Sequence, residues 1–323
     1  MSAPPENSIS RETSPLVSVI TPVFNGAAWL GEALDSALAQ SFRSLEVIVV
    51  NDGSTDDSLA IARAKARKDD RIRIIDQANA GLPAARNRAL TAARGAYLAL
   101  LDADDAWLPN HLMAAMQAFE LDPDLGLVHS NVHRVDSDGA LIDVPVRTWH
   151  KGMDAFEALA LRHEHVCCPT AVFSRLALDT VGGFDLIFTG LGCEDRDLWL
   201  RIAARFRIRY LNQITARYRL HSGSMSADNE RMALARQMLV AKLAESERGA
   251  RLVSRMEAMI DSDLGLCLSG EGRLLQAIAQ QWCALRQYPR EQLIQRRFVR
   301  SLLAPCLLLL PRSFPHSLRG GRT

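Results

Sequence analysis

The densest chemistry in the chain lies at Asp102-Ala103-Asp104-Asp105, directly after the apolar run Tyr97-Leu98-Ala99-Leu100-Leu101. Three carboxylates this close repel one another unless a cation or a proton intervenes. Hard divalent ions such as Mg2+ or Mn2+ take oxygen ligands and keep positions open for phosphate oxygens, so one reading is a metal bridging a pyrophosphate. The other is an Asp-rich turn in which Asp104 or Asp105 caps a helix from Trp107. A second acidic pair, Glu194-Asp195, opens a helical stretch over Arg196 to Arg205. A helix N-terminus favours the ionised carboxylate, which suits a capping acid or a general base. A third polar cluster, Asn51-Asp52-Gly53-Ser54-Thr55-Asp56-Asp57, follows the apolar run Leu45 to Val50.

These clusters need elements to hold them. A later strand is expected near Ile208 to Leu211, and Leu16 to Ile20, Leu45 to Val50, Arg71 to Ile75 and Tyr97 to Leu101 read as the first four strands. Helical patterns separate them: Trp29 to Leu38, a segment capped by Ser54, Thr55 or Asp56, and Ala84 to Ala93. Strands alternating with helices at this spacing imply an α/β domain with a mainly parallel sheet. Ligands of open α/β sheets bind beyond the carboxyl ends of the strands. Three such ends carry polar groups here: Thr21 to Asn25, Asn51 to Asp57 and Asp102 to Asp105. Neither G-x-G-x-x-G nor G-x-x-x-x-G-K-[ST] follows the first strand, which weighs against dinucleotide and P-loop sites.

The bulk properties bound the remainder. A chain of 323 residues suggests one large domain with an appendage, or two domains. With 48% hydrophobic and 23% charged residues it can build a packed core. A net charge of +1 argues against a dedicated nucleic-acid binder. The six cysteines show no C-x-x-C pair and read as free thiols in a reducing compartment. The polar, proline-containing segment 1–14 lacks the apolar stretch of a secretory signal and is expected to be disordered. No apolar run reaches the ~18 residues of a membrane-spanning helix. A cytoplasmic location is therefore expected.

Several segments resemble the family 2 inverting glycosyltransferases of GT-A fold. Val17 to Asn25 is similar to that family's opening strand, and Glu46 to Asp56 to its second strand and uridine-contacting loop. Asn79-Ala80-Gly81-Leu82-Pro83-Ala84-Ala85-Arg86-Asn87 and Leu100 to Asp105 resemble its next loop and its metal motif. Gly182-Gly183-Phe184-Asp185 and Glu194 to Arg201 resemble its acceptor-side motifs. These matches occur in family order between Val17 and Ser226.

The resemblance implies a role for each position. Asp52 would accept from a uracil N3–H or the ribose, with Thr21, Pro22 and Phe24 forming the wall under the base. Asn79, Gly81 and Arg86 would lie along the nucleoside and diphosphate, and Asp102 would hold the ribose hydroxyls. Asp104 would ligate Mn2+ or Mg2+, and Asp105 would assist it or cap a helix. His221 would bind metal or phosphate, and Ser224 or Ser226 phosphate. Asp195 would be the base, Glu194 would lie on the acceptor side, and Trp199 would pack below the site or touch acceptor sugar. His163, Glu164 and His165 receive no role beyond surface or acceptor loop.

The whole implies a GT-A domain at 15–228 and a helical C-terminal extension at 229–323. The donor is expected to be a UDP- or dTDP-linked sugar, and the acceptor a saccharide or lipid-linked hydroxyl in polysaccharide, glycan or glycolipid assembly. Two other readings stand beside it. A nucleotidyltransferase would want a basic, glycine-rich loop after the first strand, where this chain has Thr21 to Gly26 without Lys or Arg. A non-catalytic sugar-nucleotide-binding protein would typically have lost the acids. From Arg286 onward the chain has eight arginines and one acid, Glu291, around the apolar stretch Leu302 to Leu310. That pattern suits either peripheral contact with the inner face of the cytoplasmic membrane or packing on the catalytic domain or a second subunit.

Overall fold

The computed structural model describes residues 16–145, 153–161, 165–225, 228–270, 272–289, 294–299 and 301–302. Segment 1–14, His163, Glu164, Ser226 and the stretch beyond Leu302 lie outside the described residues. In chain order, the first half runs β1 (Val17–Val23), α1 (Ala27–Leu38), β2 (Leu45–Asp52), α2 (Ser58–Ala66), β3 (Ile72–Gln77), α3 (Leu82–Ala92) and β4 (Tyr97–Leu100). Next come β5 (Ala106–Trp107), α4 (His111–Leu121), β6 (Leu125–Val135), β7 (Leu141–Asp143), α5 (Ala155–Ala160), β8 (Val172–Ser174), α6 (Arg175–Val181), α7 (Glu194–Ala203) and β9 (Arg207–Arg219). The C-terminal part contains α8 (Asn229–Ala244), α9 (Glu247–Ala250), α10 (Val253–Gly270) and α11 (Leu274–Gln287).

Among the described residues, nine strands make one mixed sheet in the order β3-β2-β1-β4-β8-β6-β9-β5, with β7 paired to β6. The β3-β2-β1-β4 part is parallel, and β8 joins β4 antiparallel. All residues of β1 and β2 are buried, as expected of strands covered on both faces. Alternate side chains go to opposite layers. Val17, Val19, Val47 and Val49 face the helices α1 and α4, while Ile20, Ile48 and Val50 face α3, α6 and α7. This two-sided burial fixes the strand register, so the polar ends of β1, β2 and β4 emerge along one edge.

Two expectations change here. The helix expected from Trp107 begins instead at His111, after Asn110. Trp107 belongs to β5, paired with Ala216 of β9, and its indole Nε1–H donates to the Pro169 carbonyl at 2.6 Å. Asp105 therefore caps no helix. The strand expected at Ile208 to Leu211 extends to Arg219, because β9 pairs along β6 as far as Val135↔Arg219. Beyond β9, α8 places Ala235, Leu239, Val240 and Leu243 in the same core as Leu198, Trp199 and Leu200 of α7. The helix α10 adds Met256 to that core, and with α11 and Ile294 it forms a small separate cluster of Ala258, Met259, Ala284 and Ile294.

Candidate active site

Asp52 closes β2 and gathers the neighbouring loop. Its Oδ1 accepts from Gln77 Nε2 at 2.7 Å and from the Ala80 N–H at 2.9 Å, and its Oδ2 accepts from the Gly81 N–H at 2.9 Å. A carboxylate has roughly four acceptor positions, so most of this capacity is spent inside the protein. Glycine is required on both sides of the closure. At Gly53 (φ 74°) a Cβ would lie 2.7 Å from the Asn79 nitrogen, and at Gly81 (φ 88°) 2.6 Å from Thr189 Cγ2. Asn79 stands exposed beside this closure. Thr21 and Pro22 are buried in β1, where Thr21 Oγ1 has no hydrogen-bond partner among the described residues, while Phe24 just beyond the strand is 53% exposed.

The end of β4 turns through Asp102 to Asp105. Asp104 Oδ2 lies 3.0 Å from His221 Nε2, and both side chains remain partly open. Burial, and then the neighbouring Asp102, push the Asp104 carboxyl above its usual range, so a cation beside it would relieve the strain. Among the described residues no group of three or more His, Cys, Asp or Glu is arranged to hold an ion. Two protein donors with open positions nevertheless fit Mn2+ or Mg2+, which fill their coordination with phosphate oxygens and water. They do not fit a closed structural zinc site. Asp105 is separate from this pair. It is 2% exposed, and its Oδ1 accepts from the Arg219 N–H at 2.9 Å. Burial, then Asp104 and Asp102, hold its carboxyl far above the usual range.

Arg86 joins the end of β4 to the start of α7. Its Nη2 donates to Asp102 Oδ1 at 2.8 Å and its Nη1 to Glu194 Oε1 at 2.6 Å, with Cys168 Sγ 3.1 Å from Nη2. The Arg86 side chain is only 2% exposed. Arg86, expected along the nucleoside and diphosphate, forms an internal bridge between two carboxylates in this structure. Burial pushes the Glu194 carboxyl up to about 7 against the pull of Arg86, and the adjacent Asp195 pushes it the same way. Asp195, half-buried in the first turn of α7, is also raised by burial, which Arg86 opposes. The helix N-terminus alone would favour the carboxylate form; burial outweighs it. Asp195 Oδ1 accepts from the Arg196 N–H at 2.6 Å, and Arg196 Nη2 donates to the carbonyls of Leu159 and Ala160. Cys193, the residue before α7, holds a left-handed backbone (φ 67°) that turns the chain into this acidic pair.

Trp199, expected either to pack below the site or to touch acceptor sugar, lies in the core. It is 1% exposed and packs edge-on to Phe173 with ring centroids 5.6 Å apart. Facing Asp195 toward the site sends position 199, one helical turn on, into the space between α7 and the sheet. Two residues assigned no site role from the sequence organise the Asp104 corner. Arg219 Nε donates to the Asp104 carbonyl, Nη1 to the carbonyls of Asp136 and Ser137, and Nη2 to Glu32 Oε2. Trp29 stacks on His221 with centroids 4.3 Å apart, and its Nε1–H donates to the Ser137 carbonyl. The signal for Arg219 lay two residues before His221, in Tyr218-Arg219-Leu220-His221. For Trp29 only its place in an amphipathic helix was visible.

Comparison with known proteins agrees with this architecture. The sequence profile of glycosyl transferase family 2 matches residues 18–182. A chondroitin synthase of Pasteurella multocida is 29% identical over 67% of this chain and 22% of its own length, and a hyaluronan synthase of that species 29% over 66% and 21%. The chain spans about a fifth of the length of these two relatives. An uncharacterized glycosyltransferase of Rickettsia prowazekii is 30% identical over 65% of both chains. Two solved structures share the fold. S. aureus TarS, in complex with UDP-GlcNAc, has a TM-score of 0.62 at 20% identity over 90% of this chain and 86% of its own. The mannosyltransferase PcManGT of Pyrobaculum calidifontis, in complex with GDP-Man and Mn2+, has a TM-score of 0.62 at 21% identity over 91% and 82%. With its GT-A-like sheet and the profile match over half its length, this chain belongs to glycosyl transferase family 2.

Proposed function

We propose that the protein is an inverting transferase that moves a sugar from a UDP- or dTDP-linked donor to a hydroxyl acceptor. The observation that carries this reading is the Arg86 bridge, which ties the donor-side Asp102 to the acceptor-side Glu194-Asp195 pair while Asp104 and His221 stand open beside it. The acceptor oxygen forms a bond to C1 of the sugar as the bond from C1 to the diphosphate oxygen breaks, with the electron pair leaving on the diphosphate. Asp195 takes the acceptor proton; a carboxyl raised above its usual range is a stronger base for that task. Asp104 and His221 would hold Mn2+ or Mg2+, which supplies positive charge to the departing diphosphate. Asp102 retains one oxygen for a ribose hydroxyl, and Asp52 retains acceptor capacity for the base, beside Thr21, Pro22, Asn79 and Gly81. Arg86 orients the two acids rather than touching phosphate.

The relatives support the wider context. Chondroitin and hyaluronan synthases by name build polysaccharide, and the two structural neighbours carry UDP-GlcNAc and GDP-Man, the second with Mn2+. Assembly of an extracellular or envelope polysaccharide is the corresponding role for this chain. A division into a catalytic part up to residue 228 and a helical extension beyond it belongs to the same reading. So does contact of that extension with a membrane surface, where a lipid-linked acceptor would reside.

A donor screen by nucleotide release, with Mn2+ or Mg2+ present, tests the proposal. Release is expected from UDP- or dTDP-sugars. Asp195→Asn should bind donor but lose about 10²–10⁴ in turnover. Asp104→Ala should weaken metal-dependent UDP binding measured by calorimetry. Normal turnover by Asp195→Asn would remove Asp195 as the base, and no release from any nucleotide sugar would sink the reading as a whole.

A further inference from the structure

The C-terminal helices carry a surface that glycosyl transfer does not use. On α11 the residues Ala277, Gln281 and Ala284 are buried. The opposite side presents Leu275, Ala279, Trp282, Cys283 and Arg286, whose spacing makes one helical stripe. Leu275 is 85% exposed and Trp282 49%. The helical residues 294–299 lie alongside, with the Phe298 ring centroid 5.6 Å from that of Trp282. Val299 and Leu302 extend the apolar surface, at 51% and 44% exposure. Arg286 and Arg296 are exposed on the same two segments and have no acidic partner among the described residues. Arg297, by contrast, is paired with Asp263 at 2.9 Å.

Charge identifies what covers this surface. From Arg286 to Thr323 the sequence has eight arginines against Glu291 alone. A two-fold contact between copies through this face would set like charges against each other. A lipid surface with anionic headgroups supplies the missing negative charge and accepts apolar side chains at the acyl boundary, where Trp is favoured. The next residues in sequence, Leu303-Ala304-Pro305-Cys306-Leu307-Leu308-Leu309-Leu310, are apolar, interrupted by proline and too short to span a bilayer. We infer that the face formed by Leu275, Trp282, Phe298, Val299 and Leu302, rimmed by Arg286 and Arg296, seats the enzyme on an anionic lipid surface. The inference narrows the membrane contact in the proposed function to one face and depends on no step of sugar transfer.

Flotation of the full-length protein with vesicles provides the test. Phosphatidylcholine vesicles containing phosphatidylglycerol are expected to carry the protein, with less binding to phosphatidylcholine alone or at high salt. Trp282→Ser/Val299→Ser/Leu302→Ser and Arg286→Glu/Arg296→Glu change exposed positions, and unchanged circular dichroism would verify their fold. Each is expected to weaken partitioning about tenfold or more. Undiminished flotation of the apolar variant would overturn the inference, since residues beyond Leu302 would then suffice. So would failure of the unmodified protein to float with anionic vesicles. Loss of a dimer in that variant, with no vesicle binding by the unmodified protein, would instead assign the face to a second copy. UDP binding by calorimetry should be equal in all three proteins, which separates failure of this inference from failure of the glycosyltransferase reading.

Discussion

Asp52 ends β2 and Asp104 lies in the turn after β4, two parallel strands of one sheet separated by β1, yet their surroundings differ in kind. Asp52 is 3% exposed and receives three donors from the segment 77–81. Asp104 has a side chain 33% exposed and one imidazole beside it. The first carboxylate is mainly occupied in building a loop, while the second has lone pairs to offer a ligand. Arg86 extends the contrast, since a cation that sequence reading assigned to phosphate is occupied by Asp102 and Glu194. Motif membership therefore does not separate a contact residue from a residue that positions contacts. The count of unspent hydrogen-bonding positions does.

The largest expected effect that would break this contrast is at the Arg86 bridge. Arg86→Met leaves Asp102 and Glu194 facing one another without a cation, and should lower stability by about 3–5 kcal/mol in urea unfolding. Little change in stability, with loss only of donor affinity, would return Arg86 to the phosphate. Asp52→Ala comes next, at about 2–3 kcal/mol, because two backbone donors and the Gln77 amide lose a charged acceptor. If Asp52→Ala keeps its stability and loses only selectivity for the base, the loop-building role is wrong.

The smallest effect is a displacement in pH. Proton abstraction needs an ionised carboxylate, and burial raises both Glu194, to about 7, and Asp195. The rate must therefore rise with pH through a limb above the ordinary carboxylate range, belonging to the pair rather than to one residue. For stability the raised Glu194 works the other way. Its contribution is complete below about 4.5 and is lost as pH rises through about 7. Profiles of kcat/KM and of unfolding against pH should move in opposite directions across that window. A rate limb near pH 4 would place the base in solvent.

The elements that hold the site were readable wherever one local signal decided them. The mainly apolar runs of β1, β2 and β4, interrupted by Ser18 and Glu46, read as strands covered on both faces, and Glu194-Asp195 ahead of an amphipathic stretch opened α7. Trp107 misled because an aromatic residue four positions before His111 fits a helix as well as a strand. Its pairing with Ala216, more than a hundred residues away, decided for the strand. Trp199 carried no local sign of whether its side of α7 faced ligand or sheet.

The sequence by itself determined the fold class, the order of the motifs and their convergence on one sheet edge, because strand burial and turn chemistry are local. Tertiary structure alone decided which acids remain open. Arg86 meets Glu194 across 108 residues of chain, Arg219 meets Glu32 across 187, and Trp29 reaches His221 from the far end of the domain. Such partners are set by packing, and a buried polar group's role follows from its partner.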